Sequence, residues 1–147
     1  MLIQMIIGAV LIALTVIIHA VVLDKLIKFL GHSHHAMFKQ FKLNWRMVTL
    51  MVTVLGVFSA HILQIWLWAL FYLGVGASLN LEEALYYSTS TFTTVGFGDV
   101  LLSDEWRLLG AFQSANGFIL FGWSTAFIFE VMSKLYQRDN ISRQGKN

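Results

Sequence analysis

The chain has no cysteine and no proline, and only 12% of its 147 residues are charged. Without thiols there can be no disulfide and no thiolate metal ligand, and the redox compartment stays undecided. Without proline, a bend in any helix has to come from glycine or from side-chain packing. The charged fraction is about half that of an ordinary soluble domain, which carries about 25%. The rest is apolar: 57% of residues are hydrophobic, and residues 2–23, 47–81 and 108–129 are three uncharged runs. A membrane span needs about 20 such residues at about 1.5 Å each, so the chain reads as an integral membrane protein with three transmembrane helices. Gly74 and Gly76 punctuate the second run and end its helix near residue 73. Residues 1–20 lack a basic leader and a small-residue cleavage site, so the first span is expected to be retained rather than removed as a signal peptide.

Between the second and third runs lies a segment that is helical in pattern but too short to cross. Residues 81–93 reach only about 20 Å as a helix and are rich in hydroxyls, so this helix is expected to be re-entrant. Its start is written locally: Asn80 is an N-cap, and Glu82 and Glu83 put acids in the first turn. Its C-terminal, negative end then points toward the membrane centre, where it favours a cation.

The helix runs into Thr93-Thr94-Val95-Gly96-Phe97-Gly98-Asp99. A bare Gly-x-Gly also occurs in surface turns and phosphate loops. Here it follows a threonine-rich helix at membrane depth, and irregular backbone is tolerated there only where it lines a pore. Gly96 and Gly98 can take positive φ and so let successive carbonyls face one side. The ligands of an ion column are then the Thr94 hydroxyl and the carbonyls of Thr94, Val95, Gly96 and Phe97, with the Val95 and Phe97 side chains turned outward.

Residues 84–99, with Thr91, Thr94, Gly96 and Gly98 at Thr-x-x-Thr-x-Gly-x-Gly spacing, resemble the pore helix and signature selectivity filter of the potassium channel family. The likeness extends over about residues 47–134 and leaves out the first helix. It implies an all-α membrane fold of outer helix, pore helix, extended filter and inner helix, with potassium ions held at Thr94, Val95, Gly96, Phe97 and Gly98. It also implies filter support from Asp99, Ser90, Thr91 and an aromatic cuff at Tyr86 and Tyr87. Phe97 stands where the family often has tyrosine. Ser90 stands where some members have a glutamate paired with the filter aspartate, so Asp99 is expected to be braced by another donor such as Tyr87. The family's gating-hinge glycine falls on Gly117, for which close helix packing is the alternative. Phe121 and Thr125 are expected to line a cavity below the filter, and Glu130 to lie near its inner mouth or at the interface.

Four parts follow: an N-terminal transmembrane helix (1–30), a basic, histidine-bearing cytoplasmic linker (31–46), the pore domain (47–134) and a cytoplasmic tail (135–147). Nine of the ten lysines and arginines lie around the first connection or in the tail, Arg107 being the exception. The positive-inside rule then places the linker and C-terminus in the cytoplasm and the N-terminus and pore loop outside a plasma membrane. Glu82, Glu83, Asp99, Asp104 and Glu105 give that loop a negative mouth. His32, His34 and His35 are a solvated cluster before they are a metal or proton sensor, and His19 and His61 are expected to bond a neighbouring helix. No nucleotide loop, catalytic constellation or cofactor motif is visible, so the chain reads as no enzyme, with no cofactor beyond potassium ions in the pore and no nucleic-acid partner. One pore loop cannot surround an ion, so the expected partners are three identical subunits and the lipid bilayer. The function read here is passive potassium conduction. The alternatives are a weakly selective cation channel and the membrane component of a potassium uptake system, which carries several pore loops per chain.

Overall fold

A computed structural model describes residues 2–32 and 45–144. They form four helices and, among the described residues, no strand: α1 (Leu2–His32), α2 (Trp45–Gly74), α3 (Leu81–Phe92) and α4 (Arg107–Gln144). The protein is thus an all-α membrane protein, in which α1, α2 and α4 are each long and apolar enough to cross a bilayer and α3 is not. At about 1.5 Å per residue α3 is about 18 Å long, well short of the roughly 30 Å hydrocarbon core.

Helix ends follow local chemistry. Asn80 is in extended conformation, and its side chain accepts from the Glu83 amide at 2.9 Å, so the cap and the acidic first turn lie where the sequence put them. At its other end α4 does not stop near residue 134. It continues through most of the expected tail, because neither glycine nor proline occurs between Lys134 and Gly145. Similarly α1 runs two residues into the expected linker and takes in His32, while His34 and His35 lie outside the described residues.

The helices pack as two partly separate groups. Helix α3 rests on α2 and α4, and α1 packs on α2 and α4 without reaching α3. Trp68, Tyr72, Phe92, Leu109 and Leu120 form a core with Leu11 of α1, and Leu23, Leu26 and Val57 form a second. Gly56 lets the Leu26 side chain of α1 approach α2 closely. The core also contains fully buried polar side chains, among them Thr15, His19, Gln64, Gln113 and Asn116. An interhelical hydrogen bond in a bilayer contributes only about 0.6 kcal/mol on average. Their larger effect is on register, since a helix that rotates leaves several of them unpaired at once.

Candidate ion-conduction site

Helix α3 delivers the chain to residues 94–99, the segment expected to form a filter, and the carbonyls of its last turn accept from named donors. The Thr89 carbonyl takes the Thr93 amide at 3.0 Å and the Thr93 hydroxyl at 2.8 Å. The Ser90 carbonyl takes the Gly96 amide at 3.0 Å, which folds the segment back onto its helix. The Thr91 carbonyl takes the Thr94 amide at 3.0 Å and, from α4, the Ser114 hydroxyl at 2.9 Å. Hydroxyls therefore do what water would do at an ordinary helix end, and the segment needs no solvent behind it.

Residues 94–98 have alternating handedness. Thr94, Gly96 and Gly98 have φ of 62°, 54° and 79°, and no other described residue has positive φ except Gly76. The two glycines are where the sequence called for left-handed backbone. Thr94 is not foreseen in that role: a β-branched residue pays strain there, of the kind found at functional sites held by their surroundings. Residues 94–99 are exposed in the single chain, with Val95 and Phe97 at 55% and 71%. The two apolar side chains meant to brace the segment thus have little of this chain to lean on.

Behind the segment, Gln113 of α4 is the keystone. Its Nε2 donates to the Ser88 carbonyl at 3.2 Å and contacts the Ser88 hydroxyl at 2.7 Å, and its Oε1 accepts from the Tyr72 hydroxyl at 2.9 Å. The Ser88 hydroxyl donates onward to the Ile65 carbonyl of α2 at 2.8 Å. One amide thereby joins α2, α3 and α4 at one depth.

The two tyrosines divide their work differently from expectation. Asp99 is braced by Tyr86, whose hydroxyl donates to its carboxylate at 2.7 Å, and not by Tyr87. Tyr86 also stacks on Phe97, with ring centroids 6.5 Å apart at 18°. Tyr87 faces inward: its ring meets Tyr72 edge-on at 5.5 Å, and its hydroxyl abuts Gly110. Ser90 donates to the Tyr87 carbonyl at 3.1 Å and makes no bond to Asp99.

The Tyr86 hydroxyl holds the Asp99 carboxyl below the ordinary carboxylate value of 3.8, and that carboxylate in turn raises the Tyr86 phenol above 10.0. The acid's contribution is present above its ordinary value and is lost as pH falls through the lowered one. The phenol's is present below its ordinary value and is lost as pH rises through the raised one. Conduction is therefore expected to be insensitive to this pair between about pH 5 and pH 9. In Tyr86→Phe the acid limb should move up toward the ordinary carboxylate range, which flux measured against external pH would show. An unmoved acid limb would remove the role given to this bond.

Lower on α4, Gly117 is buried against α3, and a Cβ there would collide with the Phe92 carbonyl. Phe121 packs on Phe92 at 5.6 Å and on His61 at 4.7 Å. Thr125 is exposed and donates to the Phe121 carbonyl at 2.9 Å. Glu130 pairs with Lys134 at 3.0 Å on the surface and borders a cavity of about 510 Å³ shared with Ile27 and Leu30 of α1. On or beside the loop between α3 and α4, Glu82, Asp99, Asp104 and Glu105 are exposed and Glu83 is half-buried, and Arg107 pairs with Asp104 at 2.7 Å. Gln4 donates to the Glu105 carbonyl, so the start of α1 lies at the loop's end of the molecule.

A family described as ion channel matches residues 58–134, more than half of the chain, and the chain belongs to that family. The match takes in most of α2, the whole of α3, residues 93–106 and α4 to Lys134, and it leaves out α1. No curated protein and no solved structure matches the chain.

Proposed function

We propose that the chain is one subunit of a potassium-selective channel, a homotetramer that conducts potassium passively across a plasma membrane with its N-terminus outside and C-terminus in the cytoplasm. The observation that carries the reading is the alternation of positive φ at Thr94, Gly96 and Gly98, immediately after a helix too short to cross a bilayer. Such a backbone can aim consecutive carbonyls at one axis, and a column of carbonyls replaces the hydration shell of a potassium ion. The Thr94 hydroxyl and the carbonyls of Thr94, Val95, Gly96 and Phe97 are the proposed ligands. The C-terminal end of α3 adds negative potential below them, and the exposed acids of the outer loop concentrate cations above.

Fourfold assembly is supported by what one chain leaves undone. It has one re-entrant helix and one filter segment, and a single strand of carbonyls cannot enclose an ion. The exposed Val95 and Phe97 side chains are the surfaces that neighbouring copies would cover. The deciding experiment is potassium against sodium flux in liposomes containing only this protein, with native mass measurement of the detergent-solubilised assembly. Potassium flux with little sodium flux and a mass of four chains is expected. Equal fluxes would make it a weakly selective cation channel, and a conducting monomer or dimer would end the tetramer reading.

A further inference from the structure

Helix α1 lies outside the residues that match the ion channel family, yet its polar side chains are keyed into those that do. Gln64 Nε2 stands 3.3 Å from the Thr15 carbonyl and 3.1 Å from His19 Nδ1. A carbonyl can only accept, so the amide nitrogen faces Thr15 and its second proton goes to His19 Nδ1, which is therefore the bare nitrogen of that imidazole. His19 Nε2 then carries the proton and donates to Ser124 Oγ at 3.3 Å. Ser124 donates to His61 Nε2 at 2.9 Å, and the His61 Nδ1 proton goes to Gln64 Oε1 at 3.1 Å. Four buried side chains from three helices thus close a ring in which each donor faces an acceptor. The ring runs one way only, because reversing it would turn Gln64 Oε1 toward the Thr15 carbonyl.

Beside the ring, Asn116 Nδ2 donates to the Thr15 hydroxyl at 2.8 Å and so ties α4 to α1 a second time. His61 is the link to the pore: its ring lies 5.8 Å from that of Phe92, the last residue of α3 before the filter segment, and 4.7 Å from that of Phe121.

We propose that the ring of Gln64, His19, Ser124 and His61 makes α1 a positioning element of the conduction pathway, holding Phe92 and the base of the filter against α4 only while both imidazoles are neutral. A proton on His19 Nδ1 would face the Gln64 amide donor, and one on His61 Nε2 would turn the Ser124 hydroxyl away and leave its oxygen accepting from both imidazoles, so either ends the one-way ring. The titratable group facing each imidazole is the other imidazole, with ring centroids 5.3 Å apart. Around them α2 offers Gln64, α3 offers Phe92, and α4 offers Ser124, Phe121 and Trp123, none of them a counter-charge. Asp24 and Glu130, the acids of α1 and α4 nearest in sequence, are exposed and paired with Lys28 and Lys134.

The inference rests on channel activity and not on potassium selectivity, and its first readout needs no conduction. Nitrogen-15 histidine spectra of the full chain in lipid at neutral pH should show opposite tautomers, the proton on Nε2 of His19 and on Nδ1 of His61, assigned with His61→Gln. Cation flux should then fall as pH is lowered from about 8 to about 5, a range in which the Tyr86–Asp99 pair is silent. Ser124→Ala, which opens the ring without adding bulk or charge, should lower flux at neutral pH and flatten the pH profile. Ser124→Thr, which keeps the hydroxyl, should restore both. Matching tautomers in the two histidines, or a Ser124→Ala profile like that of the unmodified protein, would overturn the proposal.

Discussion

Gly96→Ala is expected to abolish ion flux while leaving the protein inserted and assembled. Beyond the adjacent residues, no atom of the chain lies within 4 Å of the place a Cβ would occupy at Gly96, so collision within the subunit is not the reason. The reason is φ of +54°, which costs an L-residue with a side chain about 1–2 kcal/mol. In the proposed tetramer that cost is paid four times, about 4–8 kcal/mol against the conducting arrangement. At about 1.4 kcal/mol per factor of ten, the conducting state loses about a thousandfold or more in population. Thr94, two residues away, already carries strain of the same kind. Liposome flux and native mass, measured on the same preparation, check this. Flux close to that of the unmodified protein would mean that the dihedral alternation is not what conducts.

Gly117→Ala is expected to do damage of another sort, by failing to pack. The methyl group would occupy the place of the Phe92 carbonyl, and because that atom is backbone no side-chain rotation can relieve the overlap. Helix α4 must then move away from α3, pulling on the Ser114 bond to Thr91 and on Gln113. Loss of such contacts typically costs about 1–3 kcal/mol per chain, enough to lower the yield and melting temperature of the assembled protein. Gly122→Ala is the matched control: it lies on the same helix with nothing within 4 Å, and alanine should stabilise it by up to about 1 kcal/mol. A Gly117→Ala protein of unchanged stability with altered opening would instead point to the hinge that the family resemblance implies.

Much of this was legible because it depends on neighbours in sequence. Three spans, the Asn80 cap and left-handed backbone at Gly96 and Gly98 follow from runs, spacing and residue chemistry alone. The interior was legible only in part, because it depends on how helices are rotated about their axes. Tyr86 and Tyr87 are adjacent, so on α3 they point about 100° apart. Which of them meets Asp99 is decided by the return path of the loop, and no local signal distinguishes them. Gln113 likewise carries no local signal that separates it from the other polar residues of α4, and its place between Tyr72 and Ser88 exists only once α2 and α3 are packed. The expectation that His19 and His61 bond a neighbouring helix holds. Their shared partners Gln64 and Ser124 lie on two different helices and could not be paired from the sequence. Thr94 at positive φ runs against β-branched preference, and an override of that kind is most expected at a functional segment.

The buried polar bonds also bear on how the chain enters a bilayer during synthesis. Hydropathy falls in chain order, from α1 to α2 to α4, so α4, made after the other two, is the one of the three least able to insert alone. The groups that lower it, Gln113, Asn116 and Ser124, are those whose partners sit on α1, α2 and α3, all completed earlier. The first helices therefore present a prearranged set of acceptors and donors to the late one, and the penalty for taking α4 into the lipid is offset only when it docks in the right register. Insertion and folding of α4 are thus expected to be coupled.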